Sequence, residues 1–152
     1  SHLTELLIFT NPLTNSYSRI KALQEKNALA PYDRSWLRNV TGQGEASRLE
    51  LRSPDNTLNP YLVFNLMLIA GLNAIEGNGY EPLNDFKAFD SIPTSMTKAL
   101  RISETSKLLK EAMSLDLLNR YLETKSLEWS HVNKSTDVHQ LEIATYFDTS
   151  LT

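Results

Sequence analysis

The 152-residue chain has no cysteine. A disulfide framework and a thiol nucleophile are therefore excluded, and the composition suits a reducing compartment. Histidine is scarce as well: His2, His131 and His139 are scattered and fit no zinc-site spacing. No nucleophile-elbow context supports a Ser-His-Asp grouping. Glycine numbers only 5, and the pair Gly42 and Gly44 neither follows a clear strand nor opens a helix, so a phosphate cradle there is weakly indicated. Basic residues form no block: 15 Lys and Arg mix with 18 Asp and Glu for a net charge of −3, a poor match for nucleic acid. Long hydrophobic runs are missing too. The most apolar stretch, 61–75, is interrupted by Asn65, Gly71 and Asn73 and falls short of the roughly 20 residues a bilayer requires. It reads as a buried helix. Residues 3–9 are too few for a signal peptide and include Glu5. The expectation is a cytoplasmic protein with no membrane partner.

What is present divides near Gly77-Asn78-Gly79 into a mixed part, 1–77, and a helical part, 78–152. The expected class is α+β, with a few antiparallel strands at about 5–10 and 46–52 packed with several helices toward the C-terminus. Leu6-Leu7-Ile8-Phe9 is a compact apolar run ended by Asn11-Pro12. Residues 14–44 show no sustained period and read as an unusually long loop, the kind that tends to carry function. Arg48 to Arg52 alternates as a strand does. Asn59 is a natural N-cap with Pro60 at the first helical position, opening a helix toward Ile75. Apolar residues from Met96 to Trp129 recur at helical spacing and read as core, with Pro93 and the Ser and Thr residues dividing two or three helices. A last short helix is expected at about 138–147.

The strand at 48–52 is the sharpest chemical signal. Arg48, Glu50 and Arg52 share one face and Leu49 and Leu51 the other. Such a charged face meets solvent, a ligand, a metal or buried partners. A carboxylate between two guanidinium groups can ligate a divalent cation while an arginine holds a substrate carboxylate. The plainer reading is a solvated face with minor ion pairs. Arg19, Arg34 and Arg38 in the long loop can gather around phosphates, or simply be solvated.

In order along the chain, these segments resemble glutamine synthetase. Residues 8–19, IFTNPLTNSYSR, with Leu7 before them, resemble the family's AFTNPTTNSYKR. Arg48-Leu49-Glu50-Leu51-Arg52-Ser53-Pro54-Asp55 with Asn59-Pro60-Tyr61-Leu62 resembles RLELRSPD…NPYL, and Ala70 to Ile75 resembles AGLDGI. Ile92-Pro93-Thr94-Ser95, Tyr121 to Lys125, Glu128-Trp129, and Val138 to Glu142 with Tyr146-Phe147 follow the family's closing helices. The chain is thus identified as the C-terminal part of a catalytic domain of this family.

The resemblance implies an ATP-dependent ligase that forms glutamine from glutamate and ammonia through γ-glutamyl phosphate. It implies Mg²⁺ or Mn²⁺, and a ring oligomer with sites between neighbouring subunits. It implies Glu50 as a metal ligand, with Arg52 and Arg19 as substrate-holding arginines. Glu25 falls at the flap glutamate of ammonium deprotonation, and Arg34 at the arginine that stabilises the transferring phosphoryl group. Three departures stand out. The family's LVPGYEAP flap reads Ile20 to Asn27 without its Pro-Gly turn, Asp33 replaces the asparagine of NRS, and LIRVP reads Leu37 to Thr41. The family's N-terminal domain and upstream metal-ligand strands have no counterpart here, so the expected partners are that missing N-terminal half and the neighbouring subunits. An isolated chain is expected to be inactive and, with an unpaired sheet edge, open to self-association. The alternative is a non-catalytic, synthetase-like structural or protein-interaction domain.

Overall fold

The computed structural model describes residues 2–24, 38–41, 44–46, 48–77 and 92–147. In chain order the elements are α1 (Leu3–Thr10), α2 (Ser16–Gln24), β1 (Arg38–Thr41), β2 (Arg48–Leu51), α3 (Pro60–Glu76), α4 (Met96–Thr105), α5 (Lys107–Ala112), α6 (Leu115–Asn133) and α7 (Val138–Tyr146). The described residues are therefore mainly helical. Their strands are confined to one antiparallel ribbon, β1 with β2.

The α+β expectation is corrected: the described residues form a mainly helical structure, and the first expected strand is a helix. Residues 3–10 are helix α1, and Leu6, Leu7, Ile8 and Phe9 are all buried. Four consecutive apolar residues carry no period, so a strand buried on both faces and a helix buried all round look alike in sequence. Here the helix is central, packed against α3 and α4. Its C-terminal end shows how the surroundings complete it. The Ile8 carbonyl would ordinarily accept from residue 12, but Pro12 has no N–H. The Tyr121 hydroxyl on α6 donates to that carbonyl instead, at 2.9 Å. The Tyr121 ring stacks on Phe9 with centroids 4.3 Å apart. Burying side chains of this size contributes about 1.5–3 kcal/mol each.

The stretch read as a long loop is corrected as well. Within it, Ser16–Gln24 is helix α2 and Arg38–Thr41 is strand β1. Tyr17 and Ile20, three residues apart, are both buried and anchor α2. Tyr17, Ile20 and Leu23, the large apolar residues of this nine-residue segment, make too short a helical signal to register in sequence. In the ribbon, Glu50 stands opposite Asn39 and Arg48 opposite Thr41. Residues 44–46 form a single 3₁₀ turn between the strands, with Gly44 at φ +55°. A side chain there would meet open space but a left-handed backbone, which favours glycine.

Helix boundaries follow local chemistry. The Asn59 side chain accepts from the N–H groups of Tyr61 and Leu62, with Pro60 at the first helical position. Ser95, Ser106, Ser114 and Asp137 cap α4, α5, α6 and α7 in the same way, each accepting from the N–H three residues on. The expected core in this part is met by Met96, Leu100, Leu108, Leu109, Leu118 and Leu122, which are buried. Leu117 and Leu127 are exposed instead.

Helix α3 also departs from expectation. Val63 and Leu66 are buried, but Tyr61 (85%), Phe64 (64%), Leu68 (66%), Leu72 and Ile75 are exposed. These five recur every three or four residues and so form one stripe. The helix is apolar nearly all round, and the described residues cover only one side of it. Among the described residues, no helix is long and apolar enough to cross a membrane.

Candidate functional site

Strand β2 carries the charged trio on one face. Arg48 meets Glu50 Oε1 through Nη2 at 3.1 Å and through Nε at 3.2 Å. Arg52 Nη1 lies 3.5 Å from Glu50 Oε2. Both carboxylate oxygens are thus engaged by guanidinium groups, one on either side. Arg48 and Arg52 are exposed and Glu50 is partly so, which leaves the face open to solvent. Ion pairs in such a setting contribute little to stability. What they provide is a row of alternating charge, with Arg52 Nη1 the one guanidinium nitrogen of Arg52 that is paired among the described residues.

Beyond β2, residues 52–55 cross over helices α1 and α2. The fully buried Asn11 side chain donates to the Ser53 carbonyl at 2.7 Å. The Thr10 hydroxyl, 2.9 Å from the Asn11 side-chain oxygen, fixes the orientation of that amide. Arg19 donates through Nη2 to the Ser53 carbonyl and through Nη1 to the Arg52 carbonyl. Its guanidinium also pairs with Asp55, whose other oxygen accepts from the Ser16 hydroxyl. The Asp55 N–H donates to the Thr10 carbonyl at 2.9 Å. A cleft of about 340 Å³ lies beside this crossing, lined by Ser16, Arg19, Asp55 and Phe147 among others. Helix α7 is tied in nearby, where the Thr14 hydroxyl donates to Glu142 at 2.6 Å.

Tyr17 is buried, and Tyr121, stacked on Phe9, is partly so. Burial, reinforced by the Glu128 charge, pushes the Tyr121 hydroxyl pKa upward. Burial also raises that of Tyr17, with Tyr121 and then Asp55 adding to the effect. Neither the Tyr17 hydroxyl nor the Ser53 hydroxyl finds a partner among the described residues. A buried, unpaired hydroxyl of this kind costs about 1–3 kcal/mol.

The structure therefore brings Glu50 and Arg52 together, and places Arg19 behind them with its guanidinium on Asp55 and the backbone. Glu25 and Arg34 lie outside the described residues. Among the described residues no cluster of three or more His, Asp or Glu side chains can hold a metal ion. Glu50 is a single carboxylate already held by two arginines, so these residues do not by themselves fit a divalent cation. Residues that sequence reasoning missed are Asn11, Ser16 and Asp55. Asn11 and Asp55 stood in plain view beside Pro12 and Pro54, where a missing N–H leaves carbonyls and turns to be satisfied by side chains.

A family profile described as glutamine synthetase, catalytic domain, matches residues 1–146. The chain is 34% identical over 150 residues to a glutamine synthetase of Methanocaldococcus jannaschii, an alignment covering 85% of this chain and 32% of that protein. It is 32% identical over 166 residues to glutamine synthetases of Methanosarcina mazei and of Mycobacterium tuberculosis, covering 95% of this chain and 36% of each. The chain thus spans about a third of the length of the curated relatives it matches. The profile takes in almost the whole chain, the crossing and the charged strand included, and the chain belongs to the glutamine synthetase catalytic-domain family.

Proposed function

We propose that this chain supplies the C-terminal part of the catalytic domain of an ATP-dependent ligase that joins ammonia to glutamate by way of γ-glutamyl phosphate, and that it is inactive alone. The observation that carries this reading is the incomplete site on β2. Arg52 presents guanidinium donors on an open face, while the Glu50 carboxylate is paired, among the described residues, with Arg48 and Arg52. Within this reading Arg52 holds a carboxylate of glutamate through charge-assisted hydrogen bonds. Glu25 serves in deprotonating ammonium and Arg34 neutralises charge on the phosphoryl group, both by resemblance. Binding Mg²⁺ or Mn²⁺ beside ATP requires carboxylates from outside the described residues. Glu50 would contribute one oxygen ligand to such a site.

The remaining length of the relatives and the uncovered stripe on α3 support the rest of the proposal. The partners are the remainder of the catalytic chain and the neighbouring subunits of an oligomer, with self-association as the behaviour of the isolated piece. A non-catalytic, synthetase-like interaction domain is the second reading. It draws support from the same stripe and from the neutralised Glu50.

Calorimetric titration of the chain with L-glutamate and with Mg²⁺-ATP tests the proposal, alongside an assay for glutamine. Saturable glutamate binding without glutamine formation supports the catalytic lineage. No binding by a folded sample favours the interaction domain, and turnover by the chain alone refutes the proposed dependence on partners.

A further inference from the structure

We infer that the buried pair Thr10 and Asn11, at the end of α1, positions Arg52: through the Ser53 carbonyl and the Asp55 N–H it fixes the chain by which Arg52 leaves the ribbon. Thr10 is 1% exposed and Asn11 0%, so both act through Arg52 and touch no ligand themselves. The inference rests on the reading of Arg52 as the arginine that holds glutamate, and it leaves Arg19 the substrate contact that the resemblance implies.

Helix α1 is a rigid base for this task, with Leu6 to Phe9 all buried. The Asn11 N–H still donates to the Leu7 carbonyl at 2.8 Å, while its φ of −134° and ψ of 71° leave the helical region, as a residue before proline is steered to do. The backbone therefore sets where the Asn11 side chain begins. That side chain is fully buried, and so is Ser53, whose carbonyl accepts from Asn11 Nδ2 at 2.7 Å. A side-chain amide can turn over and exchange its nitrogen for its oxygen. The Thr10 hydroxyl opposes this by donating to Asn11 Oδ1 at 2.9 Å, which keeps the nitrogen on Ser53. Turned over, the amide would set one oxygen against another, away from water. Two residues on from Ser53, the Asp55 N–H donates to the Thr10 carbonyl at 2.9 Å. The two bonds straddle Pro54, which has no N–H to give. Arg52 lies between the end of β2 and the first of these bonds. A shift at Ser53 is passed to it through a single planar peptide unit.

Calorimetric titration of the full chain with L-glutamate tests the pair. Asn11→Leu puts an apolar group of similar size in place of the amide. Thr10→Val keeps the shape and loses the hydroxyl, whereas Thr10→Ser keeps the hydroxyl. Asn11→Leu is expected to weaken binding about tenfold and Thr10→Val about threefold, the range of one misaligned charge-assisted hydrogen bond. Thr10→Ser is expected to bind as the unaltered chain does, a rescue that lost packing would not give. Ser114→Ala, which removes the cap of α6, lowers stability and leaves glutamate binding unchanged. Unweakened binding in Asn11→Leu overturns the inference. So does equal weakening in Ser114→Ala, or a Thr10→Ser chain as weak as Thr10→Val.

A second measurement needs no ligand. The chain has no cysteine, so Glu45, exposed at the ribbon turn, and Asn119, exposed on α6, can each be replaced by cysteine and carry nitroxide labels. Pulsed EPR then reads the ribbon's position against the helical body. Asn11→Leu is expected to broaden the distance distribution about twofold, and Thr10→Val in the same sense. An unchanged distribution in Asn11→Leu overturns the inference, and where that variant does not fold, Thr10→Val set against Thr10→Ser decides. Absence of glutamate binding by the unaltered chain would count against the proposed function, while the EPR comparison would still decide the positioning.

Discussion

Helix α1 and helix α3 have similarly apolar sequences and opposite surroundings. On α1, Leu7, Ile8 and Phe9 are sealed by α3, α4 and α6, and the carbonyl freed by Pro12 has found the Tyr121 hydroxyl. On α3, one row of large side chains is sealed and another, from Tyr61 to Ile75, is bare. The ribbon next to α3 in sequence is open too, with each strand paired on one side only among the described residues. Apolar sequence gives the tendency to be buried, but it does not say what does the burying. In this chain the helical body covers α1 by itself, whereas α3 and the ribbon each keep a side open among the described residues.

The largest test of that contrast sets Phe9→Ala against Phe64→Ala. Phe9 is 2% exposed and stacked on Tyr121, so truncation is expected to cost about 3–5 kcal/mol in denaturant melts. Phe64→Ala is expected to change stability by no more than about 0.5 kcal/mol in the dilute chain. Equal losses at the two positions would mean that the α3 stripe is already covered, and the contrast would fail.

The tyrosines sharpen it further. Tyr121→Phe strands the Ile8 carbonyl in the core and is expected to cost about 1–2 kcal/mol. Tyr17→Phe removes a hydroxyl without a partner among the described residues, so it is expected to be neutral or stabilising in the same melts. Both hydroxyls have pKa values raised above the ordinary 10.0. The unfolded chain therefore releases these protons more readily than the folded one. Stability is expected to hold below pH 10.0 and to fall as pH climbs above that unfolded value. A pH series of melts should show a shallower fall for Tyr121→Phe, and an unchanged slope in that variant would contradict the assigned burial.

A smaller effect is expected at the start of α3. Asn59→Ala removes the cap from two N–H groups and should lower stability by about 1 kcal/mol. If the loss is nil, α3 is held by its buried side alone, and the cap matters only for where the helix begins.

This cap was legible in sequence because asparagine before proline is a local device, and so were the serine stops and the final helix at 138–146. The strand at Arg48–Leu51 could be read from alternation. What could not be read depended on residues far apart. Tyr121 reaches Ile8 across 113 positions, and Arg19 reaches Asp55 across 36. Helix α1 was hidden by its own uniformity, since a run apolar on every side has no period to betray its geometry. The candidate site was half legible. Charge alternation singled out Glu50 and Arg52, and resemblance suggested roles for them, but nothing in the local pattern of Arg19 announced that its guanidinium would be spent on Asp55. Glu25 and Arg34 stand on resemblance alone.

The central claim is that Arg52, on an open and unfinished site, holds the glutamate carboxylate. It is tested most directly by following the backbone amide resonances of the chain as L-glutamate is added, for the unaltered protein, for Arg52→Gln and for Arg48→Gln. The account predicts saturating shifts centred on residues 48–55 in the unaltered chain and in Arg48→Gln, and none in Arg52→Gln. Shifts that persist in Arg52→Gln, or a well-folded chain that shows no shifts at all, would contradict it.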